Sequence, residues 1–243
     1  MRLLTFSRRT AKEILRDPLT LGFGLGFPLI LILLLTAIQA NIPVALFELD
    51  RLTPGITVFG LAFMTLFAAT LVARDRETAL LQRLYTTPLT AADFIFGYML
   101  PILPIALAQS GICYAVAALL GLRLTVTALY AVLFNLPAAL FFIALGLLCG
   151  SVLSVKQVGG ICGALLTNLT AWLSGVWFDL DLVGGVFKDI ANALPFVHAV
   201  ELGRAVFSGD FGGILPHLWW VLGYMAAALA LAVLLFLRQM RRQ

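Results

Sequence analysis

The sequence has little charge. Asp, Glu, Lys and Arg together make up 12% of the 243 residues, and apolar residues make up 62%. A soluble globular domain carries about 25% charged residues, so this chain lacks the charge to cover a surface that faces water. The composition excludes a soluble enzyme or binding protein and predicts an all-α integral membrane protein.

Cysteine and histidine are also scarce. Cys113, Cys149 and Cys162 each lie in an apolar run, and no CxxC pair occurs. This pattern is typical of small buried apolar side chains and not of a metal or redox site. His198 and His217 lie 19 residues apart, and a metal site would need further ligands at closer spacing. No metal site is predicted.

Six apolar runs have the length that a helix needs to cross a bilayer, about 20 residues. No Asp, Glu, Lys or Arg lies in the interior of any run. This argues against a membrane-embedded hydrolase or transferase, which needs convergent reactive groups at membrane depth. Charged rings or a carbonyl filter motif, which would indicate a channel, are not visible either. The predicted spans cover about residues 19–40, 56–73, 94–122, 128–155, 158–178 and 214–237.

The Lys and Arg residues divide unevenly between the two sides that six spans define. Of the 16, twelve fall on the side of the N-terminus and four, Arg51, Arg123, Lys188 and Arg204, on the other. Since Lys and Arg accumulate in cytoplasmic loops, both termini are predicted to lie in the cytoplasm and the protein in the plasma or inner membrane.

Residues 1–18 are predicted to form an amphipathic helix that lies on the membrane. Apolar residues recur at helical spacing, and basic residues on the other face suit anionic lipid headgroups. A solvated basic tail is the alternative. The apolar positions are Leu3, Leu4, Ala11, Ile14 and Leu15, and the basic positions are Arg8, Arg9, Lys12 and Arg16.

The segment 74–93, between the second and third predicted spans, is charged at its start and then amphipathic. Leu80, Leu81 and Leu84 share one side of a short helix that stops before Pro88. A charged amphipathic helix on the cytoplasmic side is a candidate docking surface for a soluble partner, and an ordinary loop is the alternative.

The segment 179–213, before the last predicted span, is too polar and too broken by glycine to span the membrane. Its stretches 183–187 and 190–200 are nevertheless apolar. They predict helices that enter the outer leaflet and return, with irregular backbone covered by protein or water. The loop 41–55 is predicted to be a plain connector.

Residues 76–89 are similar to a loop motif of type-2 ABC transporter permeases. In that family the motif reads R-E-x-G-T-L-E-x-L-x-T-T-P-L and is followed by a G-K pair. Here Ala79, Leu80, Gln82 and Tyr98 stand where the family usually has Gly, Thr, Glu and Lys. The matching positions are Glu77, Leu81, Leu84, Thr86, Thr87, Pro88 and Gly97.

Two further stretches resemble the same family. Residues 173–178 are similar to its L-S-G-x-x-F motif at the end of the fifth span, although Asp179 replaces the Pro that follows. Arg16-Asp17-Pro18 resembles the entry to its first span. Together the resemblances cover nearly the whole chain in order.

This resemblance implies a specific architecture and set of partners. The family has six spans, an N-terminal connecting helix, a coupling helix between spans 2 and 3, and re-entrant helices before span 6, similar to the G-subfamily of ABC exporters. Two permease subunits, identical or different, pair with two ATPase subunits. No G-x-x-x-x-G-K-[ST] loop occurs in this sequence, so no cofactor is expected on this chain, and ATP and Mg²⁺ belong on the partner ATPase.

The resemblance also assigns candidate roles to residues in the loop after span 2. This loop is expected to contact the ATPase and to couple ATP hydrolysis to transport, with Glu77 and Arg83 as polar contacts. The expected coupling residues are Arg76, Glu77, Leu80, Leu81, Arg83, Leu84, Thr86, Thr87 and Pro88.

The resemblance implies a substrate path lined by spans 2 and 5. Phe59, Phe63 and Phe67 share one face of span 2 at a spacing of four residues. The alternative is that this stripe faces lipid or packs against other helices. The other candidate residues are Met64 on span 2 and Thr167, Asn168 and Trp172 on span 5, and family resemblance suggests Ser174 and Gly175 as an outer gate.

The predicted function is export of a hydrophobic or amphipathic substrate, such as a drug, an antibiotic or a lipid-like molecule. Short external loops and few polar groups inside the spans favour an apolar substrate over a lipid-linked glycan, which is the alternative. An ATPase-coupled sensor or a channel is a weaker alternative.

Overall fold

The computed structural model describes residues 2–78 and 90–240. Within these ranges the chain contains helices and no strand, so the all-α prediction is confirmed there. The helices are α1 (Arg2–Leu15), α2 (Pro18–Gln39), α3 (Leu49–Glu77), α4 (Ala91–Leu119), α5 (Val126–Phe134), α6 (Leu136–Val152), α7 (Val155–Val158), a π-helix (Gly159–Leu166), α8 (Thr167–Leu173), α9 (Leu180–Val183), α10 (Gly185–Ala193), α11 (Pro195–Ser208) and α12 (Phe211–Met240).

Five helical stretches in the described ranges are long and apolar enough to cross a membrane. They are Leu21–Gln39, Leu49–Glu77, Ala91–Leu119, Val126–Val152 and Phe211–Gln239. They coincide with all the predicted spans except the fifth. That span falls on α7, the π-helix and α8, which follow one another directly from Val155 to Leu173. A crossing of the membrane by the fifth predicted span, which would bring the number of crossings to six, therefore remains a prediction.

Helix α3 runs through the centre of the bundle and is mostly buried. It packs against α2, α4, α6, α11 and the π-helix. It is longer than the apolar run 56–73, because the charged residues at both ends interrupt the run of apolar residues but not the helix. The connector before it is correspondingly shorter than the predicted loop 41–55, since α3 already begins at Leu49.

The contact between α3 and α6 depends on two glycines. A Cβ atom at Gly146 would lie 2.5 Å from the Thr65 carbonyl oxygen, and one at Gly150 would lie 2.5 Å from the Ala69 carbonyl oxygen. The two backbones approach closely only because these side chains are missing. Thr65 uses the proximity to donate a 2.7 Å hydrogen bond to the Phe142 carbonyl on α6.

Helix α1 packs against the start of α4 through a face that differs from the predicted apolar face. Its buried residues are Phe6, Thr10 and Ile14, whereas Leu4 and Leu15 are exposed. The Phe6 ring lies edge-on to Tyr98, with ring centroids 4.9 Å apart. Of the five predicted apolar positions, Ile14 is thus buried against protein while Leu4 and Leu15 face outward.

Residues 179–213 form the three short helices α9, α10 and α11. Helix α11 starts with Pro195 in its first turn and ends at Gly209, whose φ of 78° suits glycine. It packs against α3, α5 and α12, and its apolar face is buried. Helices therefore occur where the sequence predicts them, and their entry into a leaflet remains a prediction.

Candidate functional site

Three consecutive residues at the end of α3 bind three different parts of the bundle. They are Asp75, Arg76 and Glu77, and they lie immediately before the segment 79–89, which is outside the described residues. Together with Arg9 and Tyr98 they form what we call the Asp75 cluster. The end of the bundle that contains it is called the Asp75 end.

Asp75 is a buried carboxylate, 3% exposed, that connects α1, α3 and α4. Arg9 on α1 donates to both of its oxygens, at 2.5 and 2.6 Å, and the Tyr98 hydroxyl on α4 donates to Oδ2 at 2.7 Å. Such a two-pronged guanidinium–carboxylate pair is strong and directional. The hydrogen bond to Asp75 raises the pKa of Arg9 above its ordinary value.

Arg76 binds the C-terminal end of α6. Its two terminal nitrogens donate to the carbonyl oxygens of Ser151 and Leu153, each at 2.5 Å. The last carbonyls of a helix have no partner within the helix and carry partial negative charge, so a guanidinium is well suited to this place. Gln239 near the end of α12 also donates to the Ser151 carbonyl, at 2.8 Å.

Glu77 binds the N-terminal end of a helix, whereas Arg76 binds a C-terminal end. Its Oε1 accepts a 2.9 Å hydrogen bond from the backbone N–H of Val155, the first residue of α7. A carboxylate is stabilised at a helix N-terminus, where N–H groups lack partners. Ser154 and Gln157 complete this start with a capping box. The Asp75 cluster thus joins the end of α3 to α1 and α4 and to the ends of α6 and α7.

A second, weaker ion pair lies beside the cluster. Arg74 is 3.7 Å from Asp17 at the junction of α1 and α2, and the two side chains are 50% and 28% exposed. Exposed pairs of this kind contribute little to stability. Glu13 on α1 pairs with Arg9 at 2.9 Å, and burial raises the pKa of its carboxyl group.

The predicted coupling residues are only partly visible. Arg76 and Glu77 are described, and both have partners within the chain. Leu80, Leu81, Arg83, Leu84, Thr86, Thr87 and Pro88 lie outside the described residues. Sequence reasoning missed Arg9, Asp75 and Tyr98 as a group because they are far apart in the chain, and no local spacing connects them.

An apolar cavity of about 430 Å³ lies between α2, α3 and the stretch from the π-helix to α8. Of the four residues of α3 predicted for the substrate path, Phe59 and Phe63 line this cavity, and Met64 and Phe67 do not. Those two are buried in the core, and the Phe67 ring fills the space beside Gly24 of α2. The cavity is also lined by the predicted residues Thr167, Asn168 and Trp172, and by Phe23, Phe27, Leu31, Gly163, Ala171 and Trp177.

The cavity has few polar groups. Asn168 donates a 2.8 Å hydrogen bond to the Ala164 carbonyl of its own helical stretch, and Thr167 donates to the Cys162 carbonyl at 3.1 Å. The rest of the lining is mainly aromatic. Such a surface can receive an apolar or amphipathic molecule.

The predicted gate residues Ser174 and Gly175 lie at the opposite end of the bundle, near Arg204 on α11. Arg204 donates to the Gly175 carbonyl at 3.0 Å, to the Arg51 carbonyl at 3.2 Å and to Glu201 at 2.6 Å. It therefore joins α11 to the start of α3 and to the chain just after α8. We call this the Arg204 end.

Comparison with known families gives one match. A family model described as ABC-2 type transporter matches residues 1–208, which includes α1 to α11 and both sites described above. A comparison with curated proteins finds no match.

Proposed function

The chain belongs to the ABC-2 type transporter family and is a multi-pass membrane permease subunit, and from this we propose that it is the transmembrane half of an ATP-driven exporter. The family match over most of the chain carries the proposal. A separate ATPase subunit binds ATP and Mg²⁺, and the permease alternates between inward- and outward-facing states. Both termini and the Asp75 end lie on the cytoplasmic side of a plasma or inner membrane.

The Asp75 cluster supports a route by which movement of the ATPase reaches the spans. Helix α3 leads directly into 79–89, most of the predicted coupling helix. Because Arg76 and Glu77 are bound to the ends of α6 and α7, they fix the base of this segment to the spans. In this proposal the ATPase contacts come from Leu80, Leu81, Arg83, Leu84, Thr86, Thr87 and Pro88.

The substrate proposal rests on the apolar cavity. Its aromatic lining and the small number of polar groups favour a hydrophobic or amphipathic molecule, such as a drug, an antibiotic or a lipid. A lipid-linked glycan is the alternative, and the exposed ring of Trp172 is the observation that favours it, since sugars pack against aromatic rings. Alternating access would open the cavity outward past Ser174 and Gly175.

A second copy of this chain is the proposed partner beside the cavity. Gly22, Gly26 and Gly159 have open space where a Cβ would stand, and the neighbouring Leu165 and Trp172 are exposed. Gly22 and Gly26 are four residues apart, a spacing that permits close helix approach. A homodimer is the simplest arrangement, and a related second permease is the alternative.

Re-entrant helices before the last span and a sixth crossing by 155–173 complete the proposed architecture.

The test compares two arginines at the same helix end. Arg76→Ala should leave ATPase binding and ATP hydrolysis in place but reduce efflux of a hydrophobic fluorescent dye about tenfold, because a charged hydrogen bond contributes roughly 1.5–3 kcal/mol. Arg74→Ala, which removes only an exposed pair, should transport normally. The measurement is co-purification, ATP hydrolysis and dye efflux from vesicles that contain the full complex.

Two results would contradict the proposal in different ways. Equal efflux by Arg76→Ala and Arg74→Ala would remove the Asp75 cluster from the coupling route. A wild-type chain that is stably folded in detergent but retains no ATPase would contradict the exporter assignment itself.

A further inference from the structure

The two histidines of the chain are in direct contact at the Arg204 end. His198 on α11 and His217 on α12 place their Nδ1 atoms 2.9 Å apart. The Nε2 atom of His198 lies 2.9 Å from the Asn192 carbonyl oxygen. The His198 ring stacks on the Trp220 indole, with centroids 4.8 Å apart and planes inclined by 8°.

These contacts determine where the protons lie in the neutral pair. A carbonyl oxygen only accepts, so the Nε2 atom of His198 must carry a hydrogen. In a neutral His198 the Nδ1 atom is then an acceptor. The Nδ1 atom of His217 must therefore carry the hydrogen that joins the two rings.

The pair can take up one proton without losing a contact. His217 lines a polar cavity of about 320 Å³, from which water can deliver a proton to its Nε2 atom. The hydrogen between the two Nδ1 atoms can then shift to His198. This leaves His217 neutral, with its hydrogen on Nε2, and His198 as an imidazolium. Both N–H groups of His198 then have acceptors, and its charge lies against the Trp220 ring, an arrangement that favours a cation.

A second proton does not fit. With both rings charged, two N–H groups would face each other across 2.9 Å, and the bond between α11 and α12 would be lost. The two protonation steps are therefore coupled and belong to the pair.

The charged groups near the pair, on α3, on α11 and between α11 and α12, carry a net negative charge, which favours an added positive charge. Glu201 and Arg204 lie on α11 and bind each other at 2.6 Å. The cavity that His217 lines also contains Asp210, between α11 and α12, and Asp50 and Arg51 from α3. The three carboxylates exceed the two guanidinium groups by one negative charge.

We propose that His198 and His217 form a site for one proton at the Arg204 end of the bundle. Uptake of that proton preserves the contact between α11 and α12, and uptake of a second proton breaks it. This inference does not depend on the proposed transport function.

Trp220 provides the test, because an imidazolium in contact with an indole quenches its fluorescence. The full chain in detergent should lose tryptophan fluorescence in a one-proton transition between about pH 8 and pH 5, the range in which histidines titrate. Trp219→Phe, which removes the exposed neighbouring indole, should keep the transition. Trp220→Phe should lose it, and so should His198→Phe, which retains a stacked ring without a titrating nitrogen.

A transition that persists in His198→Phe would overturn the proposal, as would its absence from both the wild type and Trp219→Phe.

His217→Gln tests the second proton separately, since the amide can bond His198 in either state but cannot be protonated. This variant should keep the fluorescence transition and should lose less thermal stability than the wild type below about pH 5. If the wild type and His217→Gln lost the same thermal stability below about pH 5, the predicted loss of the hydrogen bond between α11 and α12 would be contradicted.

Discussion

Asp75 illustrates how a buried charge is satisfied at the end of an apolar helix. Its carboxylate receives two hydrogen bonds from Arg9 and one from Tyr98, and these partners compensate for its removal from water. Tyr98 stands where the resembling loop motif has Lys. Both side chains can donate a hydrogen bond to a carboxylate, and in this chain the Tyr98 hydroxyl donates one to Asp75.

The first residue-scale prediction concerns the stability of this cluster. Asp75→Asn should lower the free energy of unfolding by about 1.5–3 kcal/mol, because Arg9 loses a charged acceptor. Tyr98→Phe should cost about 1 kcal/mol, and the double variant should deviate from additivity because the residues share one carboxylate. The measurement is unfolding in detergent at fixed pH.

Asp17→Asn is the matched control for this prediction. It neutralises a carboxylate that is 28% exposed and lies 3.7 Å from Arg74, so its effect should be smaller than that of Asp75→Asn. If Asp75→Asn were no more destabilising than Asp17→Asn, the buried network would not contribute as described.

At the scale of helices, two glycine pairs with the same spacing of four residues have different surroundings. Gly146 and Gly150 face the backbone of α3. Gly22 and Gly26 have open space around them. The pattern permits close packing in each case, and only the fold decides which pair is used within the subunit.

The helix-scale prediction follows from this difference. Gly146→Ala should destabilise the chain by about 1–3 kcal/mol, because the added methyl group overlaps the Thr65 carbonyl and forces α3 and α6 apart. Gly22→Ala adds the same group where nothing lies within 4 Å and should not destabilise the monomer. Thermal unfolding of both variants in detergent checks the difference, and equal loss in both would count against the close contact of α3 and α6.

The N-terminal helix shows why periodicity alone misplaces a contact. The spacing of apolar residues predicts an amphipathic helix, and α1 is one. Hydropathy does not distinguish a face that meets lipid from a face that meets protein. Thr10 is fully buried against α4 although it is polar, because its hydroxyl donates to the Phe6 carbonyl of its own helix.

At the scale of the whole molecule, large apolar side chains are exposed on many helices. Those that line the cavity between α2, α3 and 155–173 include Phe23 and Trp172, and Leu165 on the π-helix is also exposed. Lipid can cover such a surface, but the open glycines beside it favour a second helix.

A cross-linking prediction tests the proposed homodimer. Leu165→Cys, on the π-helix, should form a disulfide between two copies in oxidised membranes, because it lies beside the proposed interface. Leu129→Cys, on α5, is similarly exposed but lies away from this face and should remain monomeric. The native cysteines are buried or half-buried, and gel mobility of both variants with and without reductant gives the answer. Cross-linking of Leu129→Cys alone would place the interface elsewhere.

The sequence by itself determined the class of molecule and its order of helices. Low charge and long apolar runs leave a helical membrane protein as the solution, because each run must bury its side chains in lipid or protein. Helical spacing placed Phe59, Phe63 and Phe67 on one face of α3 but did not show what that face contacts. The tertiary structure decided that Met64 and Phe67 belong to the core, since their burial depends on α2. It also brought Arg9, Asp75 and Tyr98, and likewise His198 and His217, into contact across long stretches of chain, and local spacing carries no information about such contacts.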